Sequence, residues 1–334
     1  MADPILSVRA LETFFRPDEG IVRAVDGAAF DLYPGRTLGI VGESGCGKSV
    51  TARSILRIVE RPGKVESGEI WLTRADGSRL DLAAIDERSA EMSEVRGGEI
   101  GYVFQEPMSS LSAFHTIGNQ LAEAVRLHKV VSKKEARERA IALLGLVGIP
   151  RPAQRVDSYS FELSGGLRQR VMIALALAAE PRILIADEPT TALDVTTQAQ
   201  ILDLIRTIQR GRNLAVILIT HDMGVIAEMA DSVAVMYLGK IVEAGPVDTI
   251  FHAPKHPYTQ ALLRSIPSVL AEPRSRLATI SGSIPHPYAR PPGCAFHPRC
   301  QSFISGKCDT ASPPATAIAP DHSVRCFLYG EQAA

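Results

Sequence analysis

Residues Gly42-Glu43-Ser44-Gly45-Cys46-Gly47-Lys48-Ser49 have the spacing GxxxxGK[ST], and the chemistry that spacing serves is the holding of a polyphosphate. Glycines at 42, 45 and 47 allow successive backbone N–H groups to turn inward around an anion. The helix that should follow adds roughly +0.5 of a charge at its N-terminus. Lys48 is long enough to reach β- and γ-phosphates, and the Ser49 hydroxyl can ligate the Mg²⁺ that bridges them. A glycine turn beside an exposed lysine is the alternative reading. The apolar run Thr37-Leu38-Gly39-Ile40-Val41 directly before the loop favours the phosphate site, which needs a strand in that place.

Further along, Ile183-Leu184-Ile185-Ala186 reads as a buried strand ending in Asp187-Glu188. Neighbouring strand residues point to opposite sides, so the two carboxylates can do different work. Asp187 can hold Mg²⁺ through water, while Glu188 can take a proton from an attacking water. Because the second position is Glu and not Gln, the site is expected to hydrolyse. Gln105 follows a short strand, Ile100 to Phe104, and its amide can both ligate Mg²⁺ and contact a γ-phosphate. His221 follows the strand Val216 to Thr220, where a histidine is either a structural residue or a phosphate contact. Ser164, Gly165 and Gly166 open a helix expected to run through Gln169 to Ala179, and a hydroxyl with bare N–H groups at a helix start makes a second anion site.

Taken in chain order, the phosphate loop, Gln105, Leu163-Ser164-Gly165-Gly166, Asp187-Glu188, Ala192-Leu193-Asp194 and His221 resemble the motifs of the ATP-binding cassette family over roughly residues 5–250. The resemblance implies an α/β fold: a P-loop NTPase (RecA-like) cassette with an antiparallel β subdomain and a helical signature subdomain at about 106–165. It implies ATP and Mg²⁺ as cofactors. Glu43, Ser44, Cys46 and Val50 then join the glycines, Lys48 and Ser49 in binding nucleotide, and Ser49, Gln105 and Asp187 hold the metal. Lys48, Gln105, Glu188 and His221 are the catalytic set. It implies a dimer as well, in which Ser164, Gly165 and Gly166 meet the γ-phosphate held by the opposite cassette and Asp194 couples the two sites. The family places an aromatic ring against adenine upstream of the loop, a role for Phe15, with Phe14 as competitor and core packing as the other reading.

Residues 251–334 form a C-terminal extension that carries the information on substrate class. Phe251 to Leu263, with His256-Pro257-Tyr258, and Pro292 to Cys300 resemble the segment that follows the cassette in importers of dipeptides, oligopeptides and nickel. Phe104-Gln105-Glu106-Pro107-Met108-Ser109-Ser110-Leu111 resembles the same subfamily. Ser112-Ala113 departs from its usual Asn-Pro, so oligosaccharide or nickel import by the same machinery stays open, as does a soluble non-transport ATPase. The implied partners are a second ATPase subunit (paralogue or copy), two transmembrane permease subunits and an extracytoplasmic substrate-binding protein. The implied place is peripheral, on the cytoplasmic face of the inner membrane.

Cys294, Cys300, Cys308 and Cys326 cluster in this extension, separated by five, seven and seventeen residues. Paired zinc cysteines are usually about two to four residues apart, and these gaps are wider. Iron–sulfur clusters tolerate irregular spacing. Resemblance to the dipeptide-importer tail also points to a [4Fe–4S] cluster. Zinc, with His297 or His322 as substitute ligands, and no metal are the alternatives.

These residues need an alternating sheet and helix framework, and the composition can supply one. Of 334 residues, 46% are hydrophobic and 22% charged, enough to bury a full core and make two domains, a cassette over 1–250 and the extension. Net charge is −1 without a basic block, so no nucleic-acid partner is expected. Residues 5–35 read as strands around the polar turn Arg16 to Gly20. Gly118 to Lys129 is amphipathic, and Ser132 with Glu135 is a capping box for a helix reaching Gly145. Thr196 and Thr197 precede a helix with Ile201, Leu204, Ile205 and Ile208 on one face. The N-terminus lacks the pattern of a signal peptide, and the longest apolar run, Val171 to Ala179, is shorter than the ~20 residues of a membrane span.

Overall fold

The structure, a computed structural model, describes residues 3–106, 110–266 and 280–329; Pro107, Met108 and Ser109 of the segment after Gln105 lie outside them. The strands of the first part of the chain are β1 (Leu6–Phe15), β2 (Val22–Leu32), β3 (Thr37–Val41), β4 (Gly63–Thr73), β5 (Arg79–Asp81) and β6 (Ile100–Val103). They are followed by β7 (Ile183–Asp187), β8 (Ala215–Thr220), β9 (Ser232–Tyr237), β10 (Lys240–Pro246), β11 (Thr316–Ala319) and β12 (His322–Val324). The chain forms two compact units, each discontinuous in sequence. One comprises Met1–Ile5, Leu32–Thr37 and Leu72–Ile219; the other Leu6–Asp31, Leu38–Trp71 and Thr220–Ala334.

In the first unit β6, β7 and β8 pair in parallel, with Val103 opposite Ala186 and Asp187 opposite Ile219. Every residue of β7 and β8 is buried, which is why both read as unbroken apolar runs and not as alternations. Gly101 permits the close seating of β6, because a Cβ there would stand 2.2 Å from the Ala176 carbonyl oxygen. The helices Ile117–His128 and Lys133–Leu146 pack on one another and on the helix Gly165–Ala176. Thr116 and Ser132 cap the first two through their hydroxyls. Only half of the expected capping box forms, since the Glu135 carboxylate takes Arg139 at 2.9 Å. The signature helix stops at Ala176, three residues short of the expected Ala179, and the chain turns out through Glu180 at φ 61°.

In the second unit β1 lies between β2 and β4, and β3 pairs in parallel with β9, Val41 opposite Val235. The β9–β10 hairpin turns on Leu238 and Gly239, both at positive φ (43° and 82°), as a two-residue loop matched to strand twist requires. The extension adds strands to this sheet: β12 pairs antiparallel with β10, and β11 with β12. Buried Glu243 fastens them. Its carboxylate accepts the N–H groups of Lys255 and His256 at 2.7 and 2.9 Å and bonds to His322 Nε2 at 2.8 Å. The extension is also less poor in core than its composition suggests. Phe296 meets Tyr237 edge to face at 5.2 Å and packs against Tyr258 and His256. Among the described residues no helix is long and apolar enough to cross a membrane.

Candidate functional site

The phosphate loop leaves β3 at Val41 and ends at Gly47, which caps the helix Lys48–Ile55 and brings no side chain to its first N–H groups. Gly47 sits at φ 105°, and a Cβ on it would stand 2.0 Å from the Ala24 carbonyl oxygen; one on Gly42 would stand 2.1 Å from that of Met236. Both positions therefore exclude every side chain. Cys46 and Lys48 are buried beneath the loop, Ser44 and Gly45 are exposed, and Ser49 and Val50 are half-buried. The Lys48 ammonium donates to the carbonyl oxygens of Gly42 and Glu43 at 2.9 and 3.2 Å. Burial pushes the Cys46 thiol up, against the pull of Lys48, so it stays neutral. Upstream, Phe14 is buried under the Arg23 guanidinium at 5.1 Å, while Phe15 is half-buried on the other face of β1. His221 is exposed just past β8.

In the other unit the Asp187 and Glu188 carboxylates take different partners. Asp187 is 1% exposed and accepts the Tyr102 hydroxyl at 2.8 Å. Glu188 leaves the strand at φ 47°, a left-handed conformation that a glutamate adopts only at a cost. One oxygen, Oε2, accepts both Gln105 Nε2 at 3.1 Å and the Thr191 hydroxyl at 2.9 Å. Gln105 and Glu188, 83 positions apart, are thus brought together. Two side-chain donors thus hold the Glu188 carboxylate in one orientation.

Ser164 is exposed and caps its helix, accepting the Leu167 N–H at 3.4 Å; Gly165 is exposed and Gly166 half-buried. Asp194 is itself a helix cap, accepting the Thr197 N–H at 2.9 Å and hydroxyl at 2.8 Å, so the helix starts at Val195 and not after Thr197. Those bonds hold its carboxyl below the ordinary range. The Ser112-Ala113 departure is tied down by Gln120, whose amide bonds to both the N–H and the carbonyl of Ser112, and Phe114 beyond it is 89% exposed.

Cys294, Cys300, Cys308 and Cys326 all line one cavity of the extension, with His256, His297 and Phe296. Burial and the neighbouring thiols push Cys294 and Cys300 up, and Cys326 to about 11. Among the described residues, no group of three or more His, Cys, Asp or Glu is placed to hold a metal ion. His322 bonds to Glu243, and His297 Nδ1 lies 2.9 Å from the Cys294 carbonyl oxygen.

Sequence reasoning missed Tyr102, Thr191 and Arg299. The period of β6 places Tyr102 on the face opposite Gly101 and Val103, which is the signal that could have singled it out; Arg299 carried none.

The sequence model of the family described as ABC transporter matches residues 25–191, and that of the oligopeptide/dipeptide transporter C-terminal region matches 242–308. A putative peptide import ATP-binding protein of Brucella melitensis is 47% identical over 99% of both chains. The dipeptide transport ATP-binding protein of Bacillus subtilis is 47% identical over 99% of this chain and 96% of its own. An ATP-binding cassette solved as a dimer in a post-hydrolysis state with ADP and Pi superposes at TM-score 0.63, with 25% identity over 72% of this chain and 98% of that one. A cassette of an ABC transporter complex from Clostridium perfringens gives 0.62, with 28% identity over 75% and 92%. Motifs, fold and relatives agree, and the chain belongs to the ABC transporter family, as one of its ATP-binding, ATP-hydrolysing subunits.

Proposed function

We propose that this subunit powers a peptide importer. The observation that carries the substrate class is the tail, where residues 242–308 follow the oligopeptide/dipeptide pattern. Relatives named for peptide or dipeptide import align across nearly the whole length. The working division is a cassette over 1–250, with its helical part at about 106–165, and an extension over 251–334. Phe15 stacks on adenine, residues 42–50 cradle the phosphates, and Ser164, Gly165, Gly166 and Asp194 serve the opposite subunit. Ser49, Gln105 and Asp187 are hard oxygen donors of the kind magnesium takes, and that ion neutralises phosphate charge when bound. Glu188 takes the proton of the attacking water, Lys48 offsets charge developing on the phosphates, and His221 holds the γ-phosphate. A second ATPase subunit, two permeases and an extracytoplasmic binding protein complete the machine, with this subunit on the cytoplasmic face of the membrane. Capture of the tagged chain from solubilised membranes tests this. Permeases and a binding protein should co-purify, and peptide-loaded binding protein should stimulate ATP hydrolysis. Stimulation by oligosaccharide or nickel instead would reassign the cargo, and capture without membrane protein would point to a non-transport ATPase.

The four extension cysteines are read as ligands of a [4Fe–4S] cluster. What supports the reading is donor chemistry alone, four thiols lining one cavity, since among the described residues no group of three or more is placed to hold a metal ion. Its contribution would be a staple joining the segments that carry Cys294, Cys300, Cys308 and Cys326. Protein purified without oxygen should contain about four irons and four sulfides per chain, and Cys300→Ser should remove them. Stoichiometric zinc, or metal-free protein with full transport, is the outcome that rejects the cluster.

A further inference from the structure

Glu43, the second residue of the phosphate loop, is gripped at all three of its polar groups. Its carboxylate takes both arms of the Arg299 guanidinium, Oε2 from Nη1 at 2.7 Å and Oε1 from Nη2 at 3.0 Å. The backbone N–H of Glu43 donates to the Tyr258 hydroxyl at 2.8 Å. Its carbonyl oxygen accepts the Lys48 ammonium, which also holds the carbonyl of Gly42. Lys48 is 5% exposed and has little freedom of its own. The position of its charge therefore depends on the Gly42 and Glu43 peptide units, and theirs on two residues of the extension.

That support is rigid. Arg299 Nε donates to the Ser281 carbonyl at 3.0 Å, and the guanidinium carbon lies 5.9 Å from the ring centres of Tyr237 and Phe296. Tyr258 is fully buried and packs its ring on the same two aromatics. Side-chain exposure is 4% for Arg299 and 21% for Glu43, and a fork-on-fork pair so little wetted is strong and directional. Losing one partner strands the other charge. By contrast the Arg137–Asp157 pair, with exposures of 46% and 62%, is open to water.

We propose that Arg299 and Tyr258 are positioning residues of the nucleotide site: acting through Glu43, they fix the first limb of the phosphate loop and with it the Lys48 charge. Arg299 directly precedes Cys300, and Phe296 lines the cysteine cavity, so the thiol segment and the phosphate loop share one support. The proposal rests on reading residues 42–49 as the loop that binds ATP.

The test is ATP titration of the full-length chain, with KM and kcat measured in the assembled transporter. Arg299→Gln and Glu43→Gln should each weaken ATP binding about ten- to a hundredfold, as loss of a charged hydrogen bond does. The double variant should be no weaker than either single one, because both remove the same pair. Arg299→Lys, which keeps the charge but not the fork, should fall between wild type and Arg299→Gln. Tyr258→Phe leaves the buried ring in place and should weaken binding about threefold, which keeps the test alive if the Arg299 variants fold poorly. Arg137→Ala should bind ATP normally. The change should appear as a rise in KM, whereas a smaller folded fraction lowers kcat and spares KM. Wild-type affinity in Tyr258→Phe and Arg299→Lys, or fully additive losses in the double variant, would overturn the proposal. Wild-type protein that bound no ATP would refute the phosphate-loop reading instead.

Discussion

Glu188→Gln should leave ATP bound and bring turnover down by about 10²- to 10⁴-fold, the range general-base catalysis supplies. The local geometry says why binding should survive. Gln105 Nε2 and the Thr191 hydroxyl both donate to Oε2 of Glu188, and the amide oxygen of a glutamine can accept both. The backbone at φ 47° carries a side chain of the same shape, so the turn after β7 need not change. What the amide cannot do is take a proton from water. Steady-state ATPase in the assembled transporter, with nucleotide retention measured on the same sample, separates these effects. Near-normal ATPase would remove Glu188 from the role.

Gly47→Val should weaken ATP binding by at least about a hundredfold, equivalent to about 2.7 kcal/mol. Two effects combine there. At φ 105° a β-branched residue lies outside the conformations open to it. Its Cβ would also stand 2.0 Å from the carbonyl oxygen of Ala24, backbone that cannot turn aside as a side-chain tip could. Gly45→Ala is the built-in comparison. Gly45 also has positive φ, 77°, but nothing lies within 4 Å of an added Cβ. It should lose about five- to thirtyfold, from backbone strain of about 1–2 kcal/mol. Calorimetric titration of both variants, with melting curves to verify folding, checks the order. Equal losses at 45 and 47 would mean that glycine conformation alone governs the loop.

The phosphate loop was legible in the sequence because its geometry is local: glycine spacing, a strand before and a helix after determine where the N–H groups point. The same holds for the Ser132 cap. Contacts that join distant segments were not legible. Nothing in the short strand Ile100 to Val103 says that Gln105 will meet Glu188, or that Tyr102 will donate to Asp187. The helix after Asp194 was expected to start later because Thr196 and Thr197 are themselves good caps, and the Asp194 carboxylate wins by accepting from Thr197 twice. The alanine-rich signature helix has no breaker before Pro181, so its stop at Ala176 had no local sign. Strands β11 and β12, four and three residues long, are too short to show a period, and their place follows from register with β10 and from Glu243. The tail's aromatic packing escaped notice for a similar reason, since Tyr237 belongs to β9, Tyr258 to a helix and Phe296 to a turn.

The grip of Arg299 on Glu43 spans 256 positions, and that distance is also an interval of time. At about 5–20 residues per second, a ribosome that has just added Glu43 works for roughly ten seconds to a minute before it adds Arg299. Tyr258 and β9, the parallel neighbour of β3, also come late. A chain released early thus contains every residue from Gly42 to Ser49 yet lacks the anchors that shape them. Such fragments should bind ATP about ten- to a hundredfold more weakly than the full-length chain, the loss expected when the Arg299 grip is removed.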